Sequence, residues 1–265
     1  MQLLCEKFER MGVRVKVASD PRVDRIKIDI GHDRKGEFFD LKVSDPRHLA
    51  VNAIDLRPRD RHLLLSVRDE DGSGLPAGPS RKFLCGHDER AWFVAAVPEA
   101  RGASNVREAM EALKPAAVRW AQEQARVRFE DRFRRKNRGF VRQGEWFFVP
   151  VPGAYVAPGE ILRNEPLVRT GGKPHRVEFL ARTGGELVYV DAQNRAITES
   201  QYKRLVGSRP HLAGRYHPQR RNMAVLCKGR VSHPDHQTIL LRDWHAVYMN
   251  TENQSQAMRF VSFID

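Results

Sequence analysis

Cysteine is nearly missing from this 265-residue chain: Cys5, Cys85 and Cys227 stand far apart, odd in number and without C-x-x-C spacing. That excludes a disulfide framework and a paired-cysteine zinc knuckle, and reads the three thiols as small core residues of a reduced compartment. Long apolar runs are missing too. No stretch approaches the roughly 18 consecutive apolar residues of a membrane span. Glu6, Lys7, Glu9 and Arg10 break up the first apolar residues, unlike a signal peptide. The expectation is a cytoplasmic protein with no membrane partner. The P-loop, the dinucleotide glycine motif, the Gly-x-Ser-x-Gly elbow and the kinase signatures are absent as well. So are His-Glu-x-x-His and the His-x-Glu of nucleobase deaminases, which leaves no catalytic zinc class supported.

What is present is positive charge, with 46 Lys and Arg against 33 Asp and Glu, a net of +13. Its placement matters more than its size. The net is +1 over residues 1–100, +6 over 101–150, 0 over 151–200 and +6 over 201–265. Cation concentrated in two blocks is the footprint of a polyanion partner, although a solubilising face would look similar in sequence.

The hydrophobic pattern predicts an α+β protein in three parts. Residues 1–100 read as an antiparallel β domain behind an N-terminal helix carrying Leu3, Leu4, Phe8 and Met11, with strands over 12–18, 24–30, 35–43, 49–56 and 62–68. An exposed loop at 69–80 is followed by a hairpin around Gly86 to Glu89. Residues 101–138 form a basic helical connector: Ser104 serves as an N-cap, and Pro115 opens a second helix running to about Lys136. Val118, Ala121, Ala125 and Phe129 are its expected buried stripe. Residues 139–265 read as a small β barrel or sandwich of short strands between Pro- and Gly-rich turns, including Gly171 to Pro174.

Two kinds of site stand out. The Arg-rich stretch of Arg126, Arg128, Arg132, Arg134, Arg135, Lys136, Arg138 and Arg142 could hold phosphates, with Phe140, Trp146 and Phe147 close enough in sequence to stack on unpaired bases. A second basic strip, Lys203, Arg204, Arg209, Arg215, Arg220 and Arg221, lies in a region that reads as loop. The other site is histidine-centred, in the stretch from His233 to His245. His233, Asp235 and His236 could bind a metal with His175 or a carboxylate completing the shell. Alternatively, His175 could pair with His233 or His236 as general base and general acid in cleavage of an RNA phosphodiester, with Arg176 beside His175 neutralising the developing charge, the 2′-hydroxyl as internal nucleophile and no need of a cofactor. The plain alternative is a turn whose histidines simply hydrogen-bond. His245 shares a strand face with Val247 and Met249 and reads as a core residue. Acidic residues Asp29, Asp33, Glu37, Asp40, Asp88 and Glu89 are interspersed with Arg and Lys, and read as solvated faces rather than a Mg²⁺ site.

Three short motifs occur in order: Arg142-Gln143-Gly144-Glu145, Gly172-Lys173-Pro174-His175-Arg176 and His233-Pro234-Asp235-His236. Residues 142–250 thereby resemble an uncharacterised group of small bacterial β proteins with R-Q-G-D, G-x-x-H-R and H-P-E-H motifs. Glu145 stands in place of its aspartate and Asp235 in place of its glutamate. The resemblance implies no activity. It does group His175, Arg176, His233 and His236 as one set.

The sequence therefore points to a nucleic-acid-binding protein, RNA before DNA, with histidine-dependent phosphodiester cleavage as its catalytic form and no metal or cofactor assigned. Two alternatives remain open: a structural or assembly subunit bound to other protein subunits of a larger complex, and a metal-dependent hydrolase of a small substrate.

Overall fold

The computed structural model describes residues 2–71, 73–169 and 173–261. The first helix, α1 (Gln2–Met11), buries Leu4, Phe8 and Met11, whereas Leu3, expected with them, is 65% exposed. Three strands follow, β1 (Arg14–Ser19), β2 (Ile26–Asp33) and β3 (Gly36–Val43), ordered β1-β3-β2. The expected antiparallel arrangement fails here, because β1 runs parallel to β3. β2 and β3 form a hairpin, and the chain enters the sheet through β1 at the free edge of β3, alongside α1.

Next comes an antiparallel meander: β4 (Leu49–Arg57), β5 (His62–Asp69), β6 (Arg81–Asp88) and β7 (Ala91–Val97), paired in sequence order. It is covered on both sides, which explains the unbroken Leu63-Leu64-Leu65. Successive strand residues face opposite ways. Leu63, Leu65, Phe83 and Val94 join Phe8, Ile28 and Phe39 in the main core. Leu64, Leu84 and Ala95 pack instead against Val106 and Ala109 of α2 (Val106–Ala112).

Helix α2 is capped by Asn105, one residue beyond the expected Ser104, its side chain accepting from the Glu108 amide at 3.0 Å. Pro115 does precede α3, but α3 (Ala116–Gln124) stops well short of Lys136. Arg126 turns left-handed (φ 48°), its amide donating to Glu123 O and the Val127 amide to Gln122 O. This Schellman arrangement ends the helix. The expected stripe changes with it: α3 buries Val118 and Gln122, whereas Phe129 lies on the far side of the stop and is 57% exposed.

The rest of the chain builds a six-stranded sheet from β8 (Val141–Gln143), β9 (Trp146–Pro150), β10 (Leu162–Leu167), β11 (His175–Thr183), β15 (Ala224–His233) and β16 (His236–Met249). The order is β10-β11-β15-β16-β9-β8, antiparallel throughout and open. It is therefore not a closed barrel. One edge, β8, spans three residues, and the other, β10, contains Pro166, which has no amide proton to offer a further strand. Between β11 and β15 the chain makes an excursion: β12 (Glu186–Val190), β13 (Ala196–Thr198), α4 (Glu199–Ser208) and β14 (His217–Arg221). These strands form a separate sheet ordered β13-β12-β14.

After β16 the chain returns to the first core. Ala257, Phe260 and Val261 pack there, and Val261 bridges to Ile28. The Glu99 carboxylate accepts from Ser255 Oγ at 2.7 Å and the Ala257 amide at 3.3 Å. The described residues contain no helix long and apolar enough to cross a membrane.

Candidate functional site

Strand register explains why three histidines meet. Arg176 pairs with Ser232, so His175 at the start of β11 lies across from His233 at the end of β15. A two-residue turn, Pro234-Asp235, then pairs His233 with His236 at the start of β16. The His175 and His233 rings stack with centroids 4.2 Å apart and planes 21° from parallel, and His236 lies 4.8 Å from His233 and 5.6 Å from His175. One nitrogen of each ring falls within 4.8 Å of the other two. All three are buried, at 1%, 7% and 3% exposure for His175, His233 and His236. Both ring nitrogens of His175 are enclosed with no hydrogen-bond partner among the described residues.

The turn between β8 and β9 closes over this cluster. Gly144 has φ +55° and Glu145 does not, the pattern of a type II′ hairpin turn, which favours glycine first. A Cβ on Gly144 would lie 2.8 Å from His236 Nε2 and 3.3 Å from His175 Nε2. Gln143, fully buried, fixes the turn by donating from Nε2 to Gln237 O at 2.7 Å and Val231 O at 3.2 Å. Arg142 donates to Gly144 O at 3.0 Å and pairs with Asp88 at 2.9 Å. From the meander, Glu89 approaches His236 Nδ1 at 3.8 Å and accepts from the Gln237 amide. Glu89 and Gly144 complete a site for which the sequence had named the histidines, Asp235 and Arg176. Glu89 lies too far away along the chain to be linked to His236, whereas the glycine of the Arg-Gln-Gly-Glu motif did carry a signal.

Arg176 does not join the cluster. As the next residue on β11 it faces the other way, exposed, and donates to Asn164 O at 3.4 Å. Gly171 and Gly172, the glycines of the turn before His175, lie outside the described residues. His245 is buried as expected, with Nδ1 2.7 Å from Asp243 O.

Burial, followed by the two neighbouring imidazoles, pushes His175 down to about 3, and burial also lowers His245. A lowered folded value means that the unfolded chain takes up protons first. For His175 this stability is fully present above about pH 6.5 and is lost as pH falls towards about 3, at about 1.4 kcal/mol per pH unit. Urea unfolding of chelator-treated protein at pH 7.5 and 5.0 should show a loss of about 2 kcal/mol from His175 alone. An unchanged midpoint would refute this. Gly144→Ala should cost roughly 2–4 kcal/mol, from about 1 for the left-handed backbone and 1–3 for the intruding methyl. A loss below about 1 kcal/mol in chemical denaturation would mean that the turn moves aside freely.

The basic residues divide by what they touch. Arg135 pairs with Glu89 and with Asp88 at 3.5 Å, so it fastens the connector to the meander, as Arg142 of β8 fastens the open sheet to it. Arg132 is half-buried against Val127 O. The others, Arg126, Arg128, Arg134, Lys136 and Arg138, are exposed and line one depression of about 400 Å³ whose single acid is Asp131. Phe140 and Phe147, expected to stack on bases, are core residues in edge contact at 5.1 Å, and Trp146 packs beside the main β11–β15–β16 cluster. The exposed aromatics of this region are instead Trp120, at 63%, and Phe129.

The second strip is not a loop. Thr198 and Gln201 form a capping box that starts α4, and Tyr202 stacks on Tyr189 of β12 at 3.8 Å. Lys203 pairs with Glu199 at 2.7 Å, and Arg221 donates to Asn194 Oδ1 at 2.7 Å. Arg220 reaches Gly184 O at 3.4 Å, while Arg204, Arg209 and Arg215 are exposed. No protein-family model, no curated protein and no solved structure matches this chain, so its function must be argued from these side chains.

Proposed function

We propose that this protein binds single-stranded RNA through the depression lined by Arg126, Arg128, Arg134, Lys136 and Arg138. The observation that carries this reading is the pairing of five exposed cations around one acid with two exposed aromatics, Trp120 and Phe129, on the same helix-and-turn segment. Cations track a phosphate backbone, and exposed rings stack on unpaired bases whatever their identity. A duplex hides its bases, so the aromatics favour a single strand. The exposed residues of the α4 excursion, Arg204, Arg209 and Arg215, offer a second phosphate contact. Cleavage by the histidines is not part of the proposal: at 1–7% exposure they give a polymer no approach, and Arg176 faces away from them.

The test is binding of a labelled single-stranded oligoribonucleotide, followed by anisotropy across a salt series. Five phosphate contacts give a slope of about −3.5 in log K against log salt, or roughly 100-fold weaker binding between 50 and 200 mM. Trp120→Ala with Phe129→Ala should weaken the single strand by about 10-fold or more and leave duplex binding nearly unchanged. Equal affinity for duplex and single strand, or no binding at 50 mM salt, would overturn the reading.

A further inference from the structure

We infer that His175, His233 and His236 are the protein ligands of one divalent transition-metal ion of the zinc class, with Glu89 positioning His236 and a water filling the remaining place. Three neutral imidazoles suit zinc, cobalt, nickel or copper, and suit magnesium or calcium poorly. The geometry is close to what such an ion needs. Metal–nitrogen bonds of about 2.0–2.1 Å in a tetrahedron set ligand nitrogens roughly 3.3 Å apart. The nitrogens here already lie within 4.8 Å of one another, so about 1.5 Å of closing suffices, and imidazole rotation can supply it.

A second observation points the same way. His175 is 1% exposed and both its ring nitrogens lack a partner among the described residues, an unusual state for a buried polar group. A bound ion would satisfy one of them. Gly144 leaves open the space beside His175 Nε2 and His236 Nε2 that any side chain would fill. A cavity of about 90 Å³ borders Gly144, Glu145 and His236, large enough for a water on the His236 side of the cluster, although neither His175 nor His233 lines it.

The surroundings also match a ligand site. His236 Nε2 points at Gly144 while its Nδ1 faces the Glu89 carboxylate at 3.8 Å, an ion-pair separation that must shorten by roughly 0.8 Å to become the carboxylate–histidine hydrogen bond that orients metal ligands. His233 Nδ1 accepts from the Asp235 amide at 3.2 Å. Whichever nitrogen His233 uses, it gives up that bond: ligation through Nδ1 consumes the lone pair, and ligation through Nε2 places the proton on Nδ1. Because Glu89 belongs to the β6–β7 turn, the ion would tie the meander to the open sheet.

The test uses untagged full-length protein, so that no affinity tag contributes histidines. Metal analysis of the purified protein should find close to one equivalent of zinc-class ion. Chelator-stripped protein titrated with cobalt(II) should develop a visible ligand-field band that saturates at one equivalent and is abolished by zinc. His175→Ala should lose the band. Glu89→Gln should keep it while weakening cobalt affinity by about 10–100-fold. Wild-type protein that holds no metal and shows no band overturns the site, irrespective of how the variants fold. A band that survives unchanged in folded His175→Ala also overturns it, since the ion would then sit elsewhere.

Discussion

A variant with alanine at Arg126, Arg128, Arg134, Lys136 and Arg138 is expected to bind single-stranded RNA about 10³-fold more weakly than wild type at 0.1 M salt. The figure follows from counterion release. Each lost contact to a single strand removes about 0.7 from the salt slope, and five contacts over the tenfold step from 1 M to 0.1 M give about 3.5 logarithmic units. Stability should barely change. Among the described residues, Arg128 and Arg134 are the two of the five in ion pairs, both with Asp131 and both exposed, and such pairs contribute about 1 kcal/mol or less. Two comparisons make the result specific. Removing Arg22 and Arg47, equally exposed but held by Asp20 and Asp45 in the nearly neutral N-terminal region, should leave affinity within about two-fold. Removing Arg135 and Arg142, which pair with Asp88 and Glu89, should instead lower stability. An anisotropy titration in which the five-site variant loses less than about 10-fold would place the RNA contacts elsewhere.

The same arginines show how far the sequence could be read. Charge clustering was visible, because it needs only counting along the chain. Which cations were already engaged was not, because Asp88 and Glu89 lie about fifty residues from Arg135 and Arg142 and meet them only when β6–β7 docks. The strands from β1 to β7 were legible because alternation reports burial directly, yet the parallel pairing of β1 left no mark on its side chains. Helix α3 ended early at a backbone turn made by Arg126, where no glycine announced it. The capping box of α4 was readable in Thr198 and Gln201 and was obscured by the surrounding charge. At the histidine cluster, the turn motif brought His233 and His236 together locally, and motif order suggested His175. The second partner shell was invisible, since Glu89 reaches His236 only through tertiary packing.

Arg169→Met is expected to produce the largest stability loss of any single substitution considered, about 3–5 kcal/mol. Arg169 follows β10 and pairs at 2.8 Å with Glu252, and the two side chains are only 13% and 2% exposed. Removing the guanidinium takes a cation 2.8 Å away from a carboxylate deep in the protein, and the attraction lost is far larger than at a surface. The location amplifies the effect. Glu252 lies just past Thr251, which bonds to Ala112 O and Leu113 O, and just before the segment that carries Ala257 and Phe260 into the first core. The pair thus fastens the open sheet to the chain end that spans both halves of the molecule, and loosening it should release that end. For a chain of this size the melting temperature should fall by roughly 6–20 °C. The double variant Arg169→Met, Glu252→Leu separates charge from packing, because replacing both members of a buried pair by apolar groups is often close to neutral. Recovery of most of the loss in the double variant identifies the buried charge of Glu252 as the cause. A double variant as unstable as Arg169→Met would show instead that the shape of the Arg169 side chain, which also lies 4.0 Å from Met258 Sδ, holds this corner together.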